Sequence, residues 1–197
     1  MTTSNGPVTT PIPVPRAVDA FQRFADTIAL AATYLAAACL FALTLLVLAE
    51  VGLGILNRLF KGLPKDIPVA WEYSAYLMGA AFMLGSGLTL RAGMHVRVEL
   101  LLKGGKARLA RQYELLSALV GTIVTGLMAW TFTAFAIRSF LSNQASQDSF
   151  TPLWIPQAPL ALGAIVLALE MVARLLACMF GGSPENQAFR AATSTTE

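Results

Sequence analysis

The chain has 197 residues, of which 56% are hydrophobic and only 13% charged, and its mean hydropathy is +0.63. Such a composition is far too apolar for an ordinary soluble domain, and the length leaves no room for a large catalytic one, so the chain reads as a membrane protein. A formal net charge of +3, scattered and without a basic run interleaved with aromatic residues, excludes nucleic acid as a partner.

The only cysteines, Cys39 and Cys178, lie in apolar surroundings and supply neither a disulfide framework nor a CxxC site. His95 is the single histidine, which excludes a membrane anchor carrying bis-histidine haems and leaves His95 without a second metal ligand nearby. No cofactor and no metal site is expected.

In chain order, residues 1–20 come first. They open with MTTSNGPVTTPIPVPR, which carries Pro7, Pro11, Pro13 and Pro15 and no apolar core of a signal peptide, so a disordered tail is expected. A membrane domain over residues 21–180 follows, and the small, polar stretch 181–197 reads as a second tail. Within the domain, residues 28–49 are an uncharged run of 22. At about 1.5 Å per residue such a run crosses a hydrocarbon layer of about 30 Å. Residues 73–90, an uncharged run of 18 that follows Pro68, Trp71 and Glu72, give a second crossing at the lower limit of length. On it Ala75 and Gly79, and Ala81 and Gly85, stand four apart, the small-residue spacing that lets helices approach closely.

Residues 91–114 then alternate Leu and Val with Arg and Lys. Val98, Leu101 and Leu102 fall at helical spacing beside Arg97 and Lys103, which predicts an amphipathic helix lying in the headgroup plane. Residues 115–137 give a third uncharged run, of 23, with Trp130 and Phe132 toward one end. The fourth crossing spans about 153–177. Pro152, Pro156 and Pro159 sit at its start, where a kink or an unwound first turn is expected, and Trp154 anchors that end. The expected fold class is therefore an all-α integral membrane protein with four transmembrane helices and a cytoplasmic-side interfacial amphipathic helix between the second and third.

Orientation follows from the flanking cations. With the N-terminus inside, ten of the fourteen Lys and Arg residues fall on the inner side, and only Arg58, Lys61, Lys65 and Arg138 on the outer. Because cytoplasmic segments retain positive charge, both termini are expected in the cytoplasm. Residues 57–72 and 138–150 become outer loops, and the sequence SFLSNQASQDS suits a solvated one.

An ionisable residue within a membrane helix is a functional candidate, because burying its charge in hydrocarbon is costly. Glu50 lies near the outer end of the first crossing, where an interfacial carboxylate accounts for it. Glu170 precedes Arg174 by four residues, the spacing of a local ion pair whose members both reach the cytoplasmic interface. No Ser, Cys or Thr is paired with a plausible base, and no glycine loop cradles phosphate, so an enzyme is not expected. A small proton-coupled multidrug carrier using Glu50 is the alternative reading. The position of Glu50 near a helix end and the length of the chain weigh against it.

The most specific stretch is residues 50–101. Arg58 and Phe60 close the first helix, Trp71 and Glu72 open the second, Gly85 lies within it, and Leu90, Arg91, Gly93, His95, Val96, Arg97, Val98, Glu99 and Leu100 form a block after it. A further element is Pro152, Leu153, Trp154, Ile155, Pro156, Gln157 and Pro159, followed by Gly163. These features resemble the small membrane (DctQ-like) subunit of tripartite ATP-independent periplasmic (TRAP) transporters. The chain departs from that pattern at Ala75, where an arginine is frequent, and at Gly79 and Ala80, where the pattern has a tryptophan further along.

The resemblance implies a four-helix subunit flanking a large permease that carries the substrate and sodium sites, with a periplasmic binding protein delivering an organic acid. It implies a bacterial inner-membrane location and a scaffold rather than a carrier. The candidate partner- or lipid-contacting residues are Arg58, Trp71, Glu72, Gly79, Gly85, Arg91, His95, Arg97, Glu99, Trp154 and Pro156. No substrate-binding or catalytic residue is assigned, and the substrate itself is not encoded here.

Overall fold

The computed structural model describes residues 16–60, 67–91 and 107–180, apart from the side chains of 17, 91 and 107–111. Among them it is all-helical: α1 Arg16–Leu59, α2 Ala70–Arg91, α3 Ala107–Leu141 and α4 Trp154–Phe180. A single isolated β-bridge, between Ala145 and Pro152, is the only extended pairing among these residues. The runs 28–49, 115–137 and 153–177 lie inside α1, α3 and α4. The stretch expected to form an interfacial helix falls largely on residues 92–106, outside the described residues, and 107–114 are the first turns of α3 rather than loop.

Local chemistry explains the helices. Asp19 in the first turn of α1 and Arg58 in its last complement the helix dipole. Threonines within apolar helices send their hydroxyls back to the carbonyl four residues earlier, Thr33 to Ala29 at 2.8 Å, Thr44 to Leu40 at 2.9 Å and Thr125 to Gly121 at 2.8 Å. No polar group is thereby offered to lipid unsatisfied. The proline-rich start of α4 does not unwind. Pro156 lies in the first turn, where the missing N–H has no carbonyl to bond, and the helix continues through Pro159.

Three helices are long and apolar enough to cross a membrane: α1 over Val18–Leu59, α3 over Gln112–Leu141, and α4. The expected fourth, α2, is not among them. Its 22 residues suffice in length, at about 33 Å. Its composition is diluted by Tyr73, Ser74, Tyr76, Gly79, Gly85, Ser86 and Gly87, residues suited to helix contact more than to hydrocarbon.

Packing accounts for that dilution. α2 is held between α1 and α4, while α3 packs on α4. The core is a seam of small residues, Ala29, Ala32, Ala36 and Ala80, closed by Leu84 and Val166. The buried positions of α1, Val18, Ala25, Ala29, Ala32 and Ala36, recur at spacings of seven, four and three, one stripe of the helix. A methyl built on Gly85 would lie 3.8 Å from Ala36 Cβ, and one on Gly87 3.8 Å from Ala29 Cβ, so α1 runs opposite to α2. Gly79 faces Leu160, Gly163 faces Met83, and Gly87 faces Val166, so α2 and α4 run the same way. Gly121 faces Met171, and Arg174 lies 3.9 Å from Glu114, so α3 opposes α4. The helices alternate in direction along the chain.

Two expectations about α4 change. Glu170 does not reach the interface but is fully buried, its Cγ within ordinary contact distance of the space left by Gly87. Arg174 turns to Glu114 across the helix pair instead of remaining on its own helix. The tighter neighbour of the space at Gly87 is Val166, whose Cγ1 would lie 3.0 Å from a methyl built there.

Candidate functional site

The loop between α3 and α4 is a built structure that clasps the start of α2. Its geometry begins at the end of α3, where Asn143 adopts the left-handed conformation, φ 49°. The Gln144 N–H donates to the Ser139 carbonyl at 3.1 Å and the Asn143 N–H to the Phe140 carbonyl at 3.2 Å. This is the paired capping pattern that ends helices, with Asn in place of the usual glycine because its short polar side chain tolerates positive φ. The chain then folds back on itself. The Ser146 N–H donates to Thr151 O and the Leu153 N–H to Gln144 O, both at 2.9 Å. A second left-handed residue, Phe150 with φ 53°, makes the return.

This loop meets the first two turns of α2. The Tyr73 and Thr151 hydroxyls are 2.7 Å apart, and the Ser149 hydroxyl donates to Thr151 Oγ1 at 2.9 Å. Tyr76 donates to Glu72 Oε1. Glu72 Oε2 is buried and accepts no hydrogen bond of full geometry, although the hydroxyls of Ser146 and Ser149 stand close enough to act on the carboxylate. The Ser146 hydroxyl first, then that of Tyr76, hold the Glu72 carboxyl below the usual glutamate range, with burial working in the opposite sense. Glu72 is only 5% exposed, so the clasp surrounds an anion with hydroxyl donors. Beside it, Trp154 at the start of α4 stacks edge-on against Phe140, with ring centroids 5.6 Å apart. This aromatic contact pins the two ends of the loop together.

The candidate residues from the sequence fall into four groups. Glu72, Trp154 and Pro156 gather at this end, and Trp71 joins them with 62% of its surface exposed, next to buried Glu72. Gly79 and Gly85 are in the helix seam, at ordinary contact distances of 3.6 Å from Leu160 and 3.8 Å from Ala36. Arg58 is exposed in the last turn of α1. Arg91 ends α2, its side chain not described, and His95, Arg97 and Glu99 lie outside the described residues. Sequence reasoning gave no role to Tyr73, Tyr76, Ser146, Ser149 and Thr151. Tyr76 one turn after Glu72 was the available signal, because i, i+4 residues meet on a helix.

Packed helices, three of them long and apolar enough to span a bilayer, define a helical membrane protein whose polar construction is concentrated at one end. Within that class, residues 47–181 match the family model described as tripartite ATP-independent periplasmic transporters, DctQ component. The chain belongs to this family, the small permease component of TRAP transporters, which is a transporter component and not an enzyme family. The matched region takes in α2, α3, α4 and the last part of α1, and leaves the N-terminal part of α1 outside. No curated protein and no solved structure matches the chain.

Proposed function

We propose that this chain holds the large, substrate- and sodium-carrying permease subunit in the bacterial inner membrane, supporting uptake of an organic acid delivered by a periplasmic binding protein. One observation carries the reading beyond family membership. α1 stays apolar through its C-terminal half while none of residues 40–59 is buried. Leu48, Val51, Ile55 and Leu59 are all more than half exposed. A lone four-helix bundle has no use for a helix of 44 residues, about 66 Å, against neighbours that cover only part of it. A subunit that extends the lateral surface of a larger partner does. An elevator-type carrier, which the family resemblance implies for the large subunit, gains a fixed frame against which its moving part works.

The alternating helix directions support four crossings with both termini cytoplasmic. α1 and α3 run the same way, so if both cross, the chain between them has to return through the bilayer, and α2 is the described helix that joins them. The carrier reading built on Glu50 has less support, because Glu50 lies in the uncovered half of α1 rather than in an enclosed site.

Proteoliposomes test the reading. This chain alone should move no substrate under a sodium gradient. The large subunit with the binding protein should take up substrate only when this chain is present, and the two membrane subunits should co-purify in mild detergent. Sodium-driven uptake by this chain alone, or full uptake in its absence, overturns the proposal. Proton-coupled flux lost on Glu50→Gln would establish the carrier instead.

A further inference from the structure

α3 carries a surface groove over its last three turns. Trp130 walls one end and Ile137, Arg138 and Leu141 the other, with Ala134 in the floor between them. The buried positions of α3, Ala118, Thr125 and Ser139, are separated by multiples of seven and mark the face that packs on α4. Trp130, Ala134 and Arg138, four apart, form a row on the opposite face, and Trp130 is 75% exposed.

The charge distribution along the groove is one-sided. Arg138 is the residue immediately after the uncharged run 115–137, so its guanidinium stands at the boundary between hydrocarbon and headgroups. Among the described residues it has no ion-pair partner. The 2.6 Å hydrogen bond from the Ser142 hydroxyl goes to its backbone carbonyl and leaves the guanidinium free. From Arg138 to Trp130 the groove descends eight residues, about 12 Å, over the small side chains of Thr133 and Ala134 along a mostly apolar surface. A cation at headgroup level above an apolar channel of that length complements one ligand chemistry: a phosphate anion joined to a hydrocarbon chain.

We propose that this groove is a binding site for an anionic phospholipid, its phosphate on the Arg138 guanidinium and one acyl chain laid over Ala134 between Trp130 and Ile137. A partner protein covering this face would meet a lone buried arginine and need a carboxylate to match it, whereas the lipid brings its own charge to the right depth. The inference does not depend on how the subunit supports transport.

Trp130 is a built-in reporter. In the full chain with Trp71→Phe and Trp154→Phe it is the sole tryptophan, and lipids brominated in mid-chain quench it on contact. Vesicles of phosphatidylcholine containing a minor share of phosphatidylglycerol are prepared twice, with bromine on one lipid or on the other. Quenching should show phosphatidylglycerol enriched at Trp130 about fivefold over its bulk share, the scale of one arginine at an anionic surface. Arg138→Gln should return the ratio to one with the helical circular dichroism unchanged, and Ala134→Phe should lower quenching by both lipids.

Equal quenching in the parent chain would show ordinary surrounding lipid and overturn the proposal, as would enrichment that survives Arg138→Gln. The measurement is repeated on the complex with a large permease subunit whose tryptophans are all replaced by phenylalanine. Loss there of quenching by every lipid would assign the face to that partner and equally overturn the lipid site. Retained enrichment supports it.

Discussion

A Cβ built on Gly163 of α4 would stand 2.6 Å from the backbone carbonyl carbon of Met83 on α2. No side chain can yield there, because the obstacle is main chain. Gly163→Ala should therefore push α4 from α2 and destabilise the bundle by about 1–3 kcal/mol, as overpacking of a tight core does. Gly79→Ala meets only Leu160 at 3.6 Å. It should be neutral or stabilise by up to about 1 kcal/mol through helix propensity. Unfolding of the two variants in mixed detergent micelles measures both. Equal effects at the two glycines would contradict the packing.

The two glycines also show what sequence can and cannot convey. Spacing picked out Gly79 and Gly85 as close-approach positions, whereas Gly163 entered only as one letter of a motif. The nearest approach depends on where two helices cross, and no spacing within one helix encodes that. The uncharged runs were legible because a long stretch without charge has one economical structure in lipid. The early start of α1 was not, because residues 16–27 mix charges with Val18 and Ala25, and only the burial of those two reveals an amphipathic stripe. The clasp was invisible for a third reason. Serines and glutamines read as solvated loop until the fold brings Ser146 beside Glu72, far apart in sequence.

Glu72 makes the clasp sensitive to acid. Hydroxyl donors favour its ionised form, so its folded pKa lies below that of the unclasped carboxyl. The contribution is fully present above the ordinary glutamate range and is lost as pH falls through the depressed folded value. A nitroxide at exposed Gln147 should show a loop immobile at neutral pH and more mobile in acid. Glu72→Gln should be mobile throughout and lose the pH dependence. An unchanged acid transition in Glu72→Gln would assign it to another group.

Positive φ at two non-glycine residues gives a conformational prediction. Asn143 at φ 49° and Phe150 at φ 53° each occupy a region that disfavours side chains with a Cβ by about 1–2 kcal/mol, least for Asn. Asn143→Gly should keep the helix cap, and Asn143→Val should lose it, since a β-branched residue rarely adopts this conformation. Phe150→Gly should stabilise the loop, because the Phe150 side chain is 79% exposed and gives little packing in return. Amide exchange at Ser146 and Leu153, whose N–H groups form the loop's cross-links, reports each case.

The alternating helix directions and the cation distribution favour one topology, with both termini in the cytoplasm, and the α3–α4 loop offers a probe for it. Ser146 lies inside the clasp, whereas Gln147 next to it is exposed. Cys39 and Cys178 are partly and fully buried, so replacing both with alanine leaves a background in which a single introduced cysteine reports its own location. With the N-terminus inside, ten of the fourteen cations fall on the inner side, and Gln147→Cys should then be modified by an impermeant maleimide added outside intact cells. Ser194→Cys should react only after the inner membrane is opened. Because α3 and α4 run in opposite directions and meet at this loop, reaction at Gln147 from the cytoplasm alone would invert both helices. Modification of both sites from the outside would mean that α4, the helix between them, does not cross.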